Sequence, residues 1–441
     1  MLKQIHAHAA GIDVGATKIF VALPEEPPCS FDTFTAGFAA ARDYLLERGV
    51  TTVAMEATGV YWLVLYEVLE AAGIEVCVVN GAHARNLPGR KSDVQDSQWL
   101  AELHAHGLLR PSFVAPEKVR RLRSYQRLRD DHIEMASAHV LHMQKAFELL
   151  NIKLHHVISS LCGASGLRIV RAILDGERDA QKLAALCDRR ILKTSREQVL
   201  LSLQAVWREE HLFALRQGFE GWEFYQRQIS VCDGEIERSL AEMTADTPPP
   251  PAEPPRSASA KRKARGGVNA PQISTLHSKL LALCGGKDLS VLPGFSDYTL
   301  LRLISEVGTD MSRWKDAAHF TSWLCLAPRK AQSGQRKRRA RKRPKTRAAQ
   351  ILRVAARAVG KSKYLALGGF YRRIRGRSCA AVANVATARK LAVLFYNLLR
   401  HGVDYVERGL IHYEEQFKQR TLERLTRSAK KLGFALCPLQ Q

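Results

Sequence analysis

The chain contains no uninterrupted run of 18 or more apolar residues, so no segment has the length that a membrane-spanning helix needs. Its first residues, MLKQIHAHAAGIDVG, lack a basic stretch followed by an apolar core and do not read as a secretory signal. The nine cysteines (Cys29, Cys77, Cys162, Cys187, Cys232, Cys284, Cys325, Cys379 and Cys437) are odd in number and scattered, with no CxxC pair and no Cys/His zinc spacing. That excludes a disulfide framework and a zinc ribbon, and predicts free thiols in a reducing cytoplasm. The most telling absence is one of charge. Between Ala317 and Val403 there is no Asp or Glu.

What is present is positive charge, unevenly placed. The net charge is +24. Residues 1–115 hold 8 Lys/Arg against 13 Asp/Glu, whereas residues 276–441 hold 34 against 10. A basic half joined to an acidic half predicts a polyanion-binding part attached to a part that needs carboxylates. At 441 residues the chain exceeds one ordinary core and predicts two or three domains.

Residues 1–115 alternate strand-like and helix-like runs. AAGIDVGATKIFVALP reads as two strands joined at Gly15–Ala16, and FDTFTAG as a third. FAAARDYLLERG is a helix, VTTVAMEAT a buried strand, VYWLVLYEVLEAAG a helix and IEVCVVN a further strand. The order β-β-β-α-β-α-β suits an RNase H-like α/β sheet. Residues 116–244 read as all-α, with two long helical stretches that suit an antiparallel coiled coil or self-association. Residues 245–275 are rich in Pro, Ser and Gly and then basic, which predicts a flexible linker. A helical C-terminal domain over 276–403 follows, interrupted by the basic loop PRKAQSGQRKRRARKRPKTRAAQ, and 404–441 reads as a helical tail.

Four acids stand out. Asp13 in GIDVGATK and Glu56 in VAMEATG each end an apolar strand, where an ionised carboxylate is costly unless paired or metal-bound. Asp93 and Asp96 in KSDVQDSQWLAEL lie one helical turn apart, on the side that also carries Leu100 and Leu103. Ser92 to Gln95 also forms a good capping box, so these two acids serve the helix start as well. Four converging carboxylates repel one another unless cations lie between them. Two Mg²⁺ ions on hard oxygen ligands would relieve that repulsion and suit chemistry at a phosphodiester.

GIDVGATK also resembles the first phosphate loop of sugar kinases and actin-like ATPases, but no second Asp-x-Gly phosphate turn and no glycine-rich adenosine motif accompany it. In the basic half, LPGFSDYTLLRLISEVG has a Pro-Gly turn, a cap at Ser296 and a closing Gly308, like half of a helix-hairpin-helix that offers backbone N–H groups to DNA phosphate. Ser333 sits in the basic loop among Arg329, Lys330, Arg336, Lys337, Arg338, Arg339 and Arg341, a strip suited to nucleic acid. Taken locally, Ser333 is a loop serine in a DNA-binding strip; as a nucleophile it would need a base and charge neutralisation at the phosphate.

GIDVGATK, MEATGVYW and GRKSDVQDSQWLAEL, followed by LPGFSDYTLLRLISEVGTDMSRWKDAAHFTSWLCLAPRKAQSG, resemble the DEDD transposases of bacterial insertion sequences, the IS110 family of RNA-bridged serine recombinases. The resemblance spans most of the chain. It implies a RuvC-like N-terminal domain, a coiled-coil middle and a C-terminal transposase domain. It carries the family's four acids onto Asp13, Glu56, Asp93 and Asp96, and the attacking serine onto Ser333, through a phosphoserine link to DNA at a composite site. Gln332 stands where a first serine is common, and the Pro-rich insert and basic run are longer than usual. The resemblance further implies DNA ends and target as substrates, a noncoding guide RNA, dimers that join into tetramers, and a nucleoid-associated location. The alternatives are a Holliday-junction-type nuclease that uses water, and a non-enzymatic nucleic-acid-binding protein.

Overall fold

The computed structural model describes residues 3–80, 93–245, 247, 269–328, 332–333, 336–337, 346–362 and 365–435. It divides into two compact units, Met1–Val114 and Ala115–Gln441.

The first unit is built on five strands: β1 (Ala9–Val14), β2 (Lys18–Ala22), β3 (Cys29–Asp32), β4 (Thr52–Glu56) and β5 (Glu75–Val79). Their order across the sheet is β3-β2-β1-β4-β5. The first three pair antiparallel, while β4 joins β1, and β5 joins β4, in parallel. Helices α1 (Thr35–Glu47) and α2 (Trp62–Ala71) supply the crossovers that parallel pairing requires. This is the RNase H-like (RuvC-like) topology. The third strand lies earlier than FDTFTAG suggests. It ends at Asp32, and Thr35 already begins α1. Gly37 explains the early turn, because a Cβ there would sit 2.1 Å from the Asp32 carbonyl oxygen.

Strand alternation divides the sheet's two faces. Ala10, Ile12 and Val14 of β1, with Val53 and Met55 of β4, are buried in one core with Phe38, Leu45, Leu65 and Leu69 from α1 and α2. The opposite face carries Gly11, Asp13, Thr52, Ala54 and Glu56, and it is covered by α3 (Asp93–Ala105).

The second unit is almost wholly helical. Helix α4 (Glu117–Leu149) and the longer α9 (Glu209–Thr244) form an antiparallel hairpin. Leu122, Arg129, Ala136, Met143 and Leu150 recur every seven residues and are buried, as the seam of a coiled coil demands. The register is set by Arg129 opposite Asp233 and Arg121 opposite Glu242. Gly218 and Gly221 allow close approach, since a Cβ would meet Met143 at 3.1 Å and the His139 ring at 2.3 Å. Four short helices, α5 (Leu154–Val157), α6 (Ala164–Leu174), α7 (Ala180–Ala185) and α8 (Arg189–Ser202), pack a separate core against the far end of the hairpin.

Most of 245–275 lies outside the described residues. The end of that stretch is docked rather than loose: Arg129 Nη1 donates to Asn269 O at 2.9 Å, and Gln272 N donates to Asp233 Oδ2 at 3.0 Å. Beyond it come α10 (Leu276–Leu283), α11 (Asp297–Val307) and α12 (Ala317–Trp323). A two-strand ribbon, β6 (Gln332–Ser333) with β7 (Arg336–Lys337), precedes α13 (Arg347–Lys361), α14 (Ala366–Arg377), α15 (Ala380–His401) and α16 (Val403–Lys431). Helix α11 is capped as its sequence suggests: Thr299 N donates to Ser296 Oγ at 3.2 Å, and Gly308 closes it with a positive φ of 73°. The described cysteines are free thiols, and Cys187, Cys232 and Cys284 are buried. Among the described residues no helix is long and apolar enough to cross a membrane.

Candidate active site

Glycine 11 fixes how α3 lies. A Cβ at this position would stand 2.3 Å from both Ser97 O and Ala101 N, so only glycine lets the helix backbone rest on β1. The C-terminal end of α3 is held at the start of β1, where Ile5 N and His6 N donate to Ala105 O at 2.8 and 3.0 Å. The helix therefore runs antiparallel to β1, and its first turns reach the strand's C-terminal end, where Asp13 stands.

Strand β4 gives the same answer independently. Thr52 Oγ1 lies 2.8 Å from His104 Nε2, and Ala54 packs with Leu100 and Val79. Two residues up the strand correspond to about one turn of helix, so Glu56 falls at the level of Asp96 and Ser97. In the sheet, Ile12 is registered with Met55, which brings Asp13 and Glu56 to the ends of adjacent parallel strands, about 4.8 Å apart along the hydrogen-bonding direction. Glu56 is only 7% exposed and receives a hydrogen bond from Thr58 Oγ1 at 3.4 Å. Asp13 and Asp96 are half-buried. Asp93 begins α3, one turn before Asp96 on the same helix face, while Ser92 of the anticipated capping box lies outside the described residues. Asp13, Glu56 and Asp96 thus stand at the same end of the sheet, with the backbone of Asp93 one turn earlier on α3, although their carboxylate oxygens do not all lie within 4.8 Å of one another.

The far end of α3 is anchored by a neutral imidazole. Burial, and then the neighbouring His6 whose ring stacks at 4.9 Å, push the His104 pKa down to about 4. His104 pins the helix to Thr52 without placing a charge in the interior. Neither Gly11 nor His104 is conspicuous in the sequence, because their roles depend on which helix lands on the sheet.

Ser333 belongs to the second unit. It lies on β6, registered with Arg336 of β7, and Gln332 is registered with Lys337. Of the basic strip, Arg336 and Lys337 are described in their backbone, and Arg329, Lys330, Arg338, Arg339 and Arg341 lie outside the described residues. The helices that follow add cations the sequence reading did not single out. Arg357, Lys361, Arg372, Arg373, Arg375 and Arg377 are exposed on α13 and α14, within the acid-free part of the chain. Exposed cations in such number, with no acid between them in the sequence, suit a phosphate backbone.

A second group with metal-binding chemistry lies elsewhere. Glu148, His155 and His156 bring ligand atoms within 4.8 Å of one another where α4 passes into α5, the one such trio among the described residues. Its members stand on two helices and are not marked by any cysteine spacing, so the sequence alone does not single it out.

An RNase H-like sheet with acids at its strand ends, in one chain with a strongly basic helical part, points to an enzyme that acts on nucleic acid. Comparison with known proteins narrows this. Residues 10–152 match the model of the DEDD transposases of IS110 type, described as a transposase, and residues 286–367 match the Transposase IS116/IS110/IS902 family. Together these matches span just over half of the chain, and they include all four acids and Ser333. The chain belongs to the IS110 family of transposases, enzymes that act on DNA. No curated protein matches it.

Proposed function

We propose that this transposase cuts and rejoins DNA strands through a phosphoserine intermediate at Ser333, with Asp13, Glu56, Asp93 and Asp96 holding Mg²⁺ and a noncoding RNA selecting the DNA. The observation that carries the acidic half of this reading is the register of Asp13 beside Glu56, beneath the first turns of α3. The donor set fits Mg²⁺: every ligand is a hard carboxylate oxygen, with no imidazole or thiol among them. Bound there, one or two Mg²⁺ ions would supply positive charge against the phosphate undergoing exchange.

The chain's own groups do the rest. The strand ends fix Asp13 and Glu56, and Gly11 lets α3 bring Asp93 and Asp96 to them. Ser333 attacks phosphorus: a bond from Oγ to phosphorus forms, the bond to one bridging oxygen of the DNA breaks, and that oxygen leaves carrying a proton as a strand-end hydroxyl. In rejoining, a strand-end hydroxyl attacks the same phosphorus, and Oγ leaves and regains a proton. Phosphodiester number is conserved, so no energy source is consumed. The cations around Ser333 and on α13 and α14 hold the DNA backbone. Family membership supports the guide RNA and assembly from dimers into tetramers.

Purified protein, incubated with element-end DNA, Mg²⁺ and RNA transcribed from the flanking noncoding stretch, tests this. Wild type should yield a protein–DNA adduct resistant to denaturation, and Ser333→Ala should yield neither adduct nor exchange. Cleavage by Ser333→Ala at the wild-type rate would make water the nucleophile and Ser333 a bystander.

A further inference from the structure

The trio at the end of α4 has no part in the reading above. Glu148 Oε1 lies 2.8 Å from His155 Nε2 and 3.2 Å from His156 Nε2. The two imidazole rings lie side by side, with centroids 4.3 Å apart. Lys153 engages the other carboxylate oxygen, Oε2, and so holds the carboxylate with Oε1 toward the imidazoles. Ligands of a tetrahedral zinc ion, bonded at about 2.0–2.2 Å, are separated from one another by about 3.3 Å. The oxygen-to-nitrogen separations here are already close to that.

We propose that Glu148, His155 and His156 form a site for Zn²⁺, distinct from the acidic centre and completed by water. Two imidazole nitrogens and one carboxylate oxygen are a borderline donor set, which suits zinc and not the oxygen-only coordination of Mg²⁺. The fourth position is open to solvent: the His156 and Glu148 side chains are 66% and 42% exposed. The ligands span the turn from α4 into α5. Between them, Leu150, Ile152 and Leu154 are all fully buried in the core that holds the short helices to the hairpin. Zinc at this point ties the last turn of α4 to that core.

The test uses the full chain, stripped with a chelator and titrated with Co²⁺ as a spectroscopic stand-in. Wild type should show an intense visible absorption typical of tetrahedral cobalt, saturating at one equivalent and bleached by Zn²⁺. His155→Ala and His156→Ala should each weaken binding at least about tenfold, and Zn²⁺ should raise the melting temperature of wild type but not of these variants. His156 is exposed, so its removal leaves the fold intact, and circular dichroism checks this. Glu56→Gln should retain the cobalt signal, which separates this site from the acidic centre. Absence of the one-equivalent signal in wild type, or wild-type affinity in either histidine variant, overturns the proposal.

Discussion

Buried charge takes opposite forms in the two units. In the second, Arg129 is 1% exposed and sits in the seam of the α4–α9 hairpin. It is matched by several partners: Nε donates to Asp233 Oδ1 at 2.5 Å, and Nη1 donates to Asn269 O and to Tyr298 Oη. Asp233 in turn accepts from Gln272 N. Arg302 and Tyr298 both donate to Asp130, and Arg127 makes two bonds to Glu306, each 2.8 Å long. Opposite charges meet here at hydrogen-bonding distance, and they join α4, α9 and α11. In the first unit, Asp13, Glu56 and Asp96 are acids that strand register and a glycine place at one end of the sheet. A matched network holds elements in place. Acids placed at strand ends add no such link between elements, and the function proposed above gives them their use.

The comparison can be broken at several points. The largest loss of stability should come from Arg129→Met, which strands Asp233 in the interior at a cost of about 3–5 kcal/mol. Chemical denaturation of the full chain measures it, and the double variant Arg129→Met/Asp233→Leu should recover most of the loss. In the first unit the sensitive position carries no charge. Gly11→Ala forces a methyl group into the backbone of α3 and should cost about 1–3 kcal/mol, with strand exchange lost alongside it. Wild-type exchange in that variant would mean that α3 need not lie where it does.

A graded effect depends on pH. His104 has its pKa lowered in the folded chain from 6.5 to about 4. Between those values the unfolded chain binds a proton that the folded chain refuses. Its contribution to stability is therefore full above about pH 6.5 and falls away as the pH drops toward 4. Melting curves across this window should show the first unit weakening on acidification, with His104→Gln flattening the dependence.

Much of the first unit was legible in advance because its signals are local. Asp13 and Glu56 are polar residues ending apolar strands, and the alternation around them names the strands. The third strand was misplaced because FDTFTAG offers β-formers on both sides of Asp32, and only the contact at Gly37 shows where the chain turns. Apolar spacing offers the pairing of α4 with α9 as one of two readings, beside self-association, and Arg129 and Asp233 read as ordinary surface charges on their separate helices. Their partnership depends on a register set by residues some hundred positions apart. Glu148, His155 and His156 escaped for a similar reason: they become neighbours only once α4 ends and α5 folds back beside it.

The measurement that bears most directly on the carboxylates is DNA cleavage by Asp96→Asn, taken together with its melting temperature. Removing one like charge from the cluster should leave the melting temperature equal to or above that of wild type, while cleavage of element-end DNA in Mg²⁺ falls by on the order of a thousandfold or more. A variant that melts well below wild type, or that cleaves at the wild-type rate, would return Asp96 to a structural role at the start of its helix.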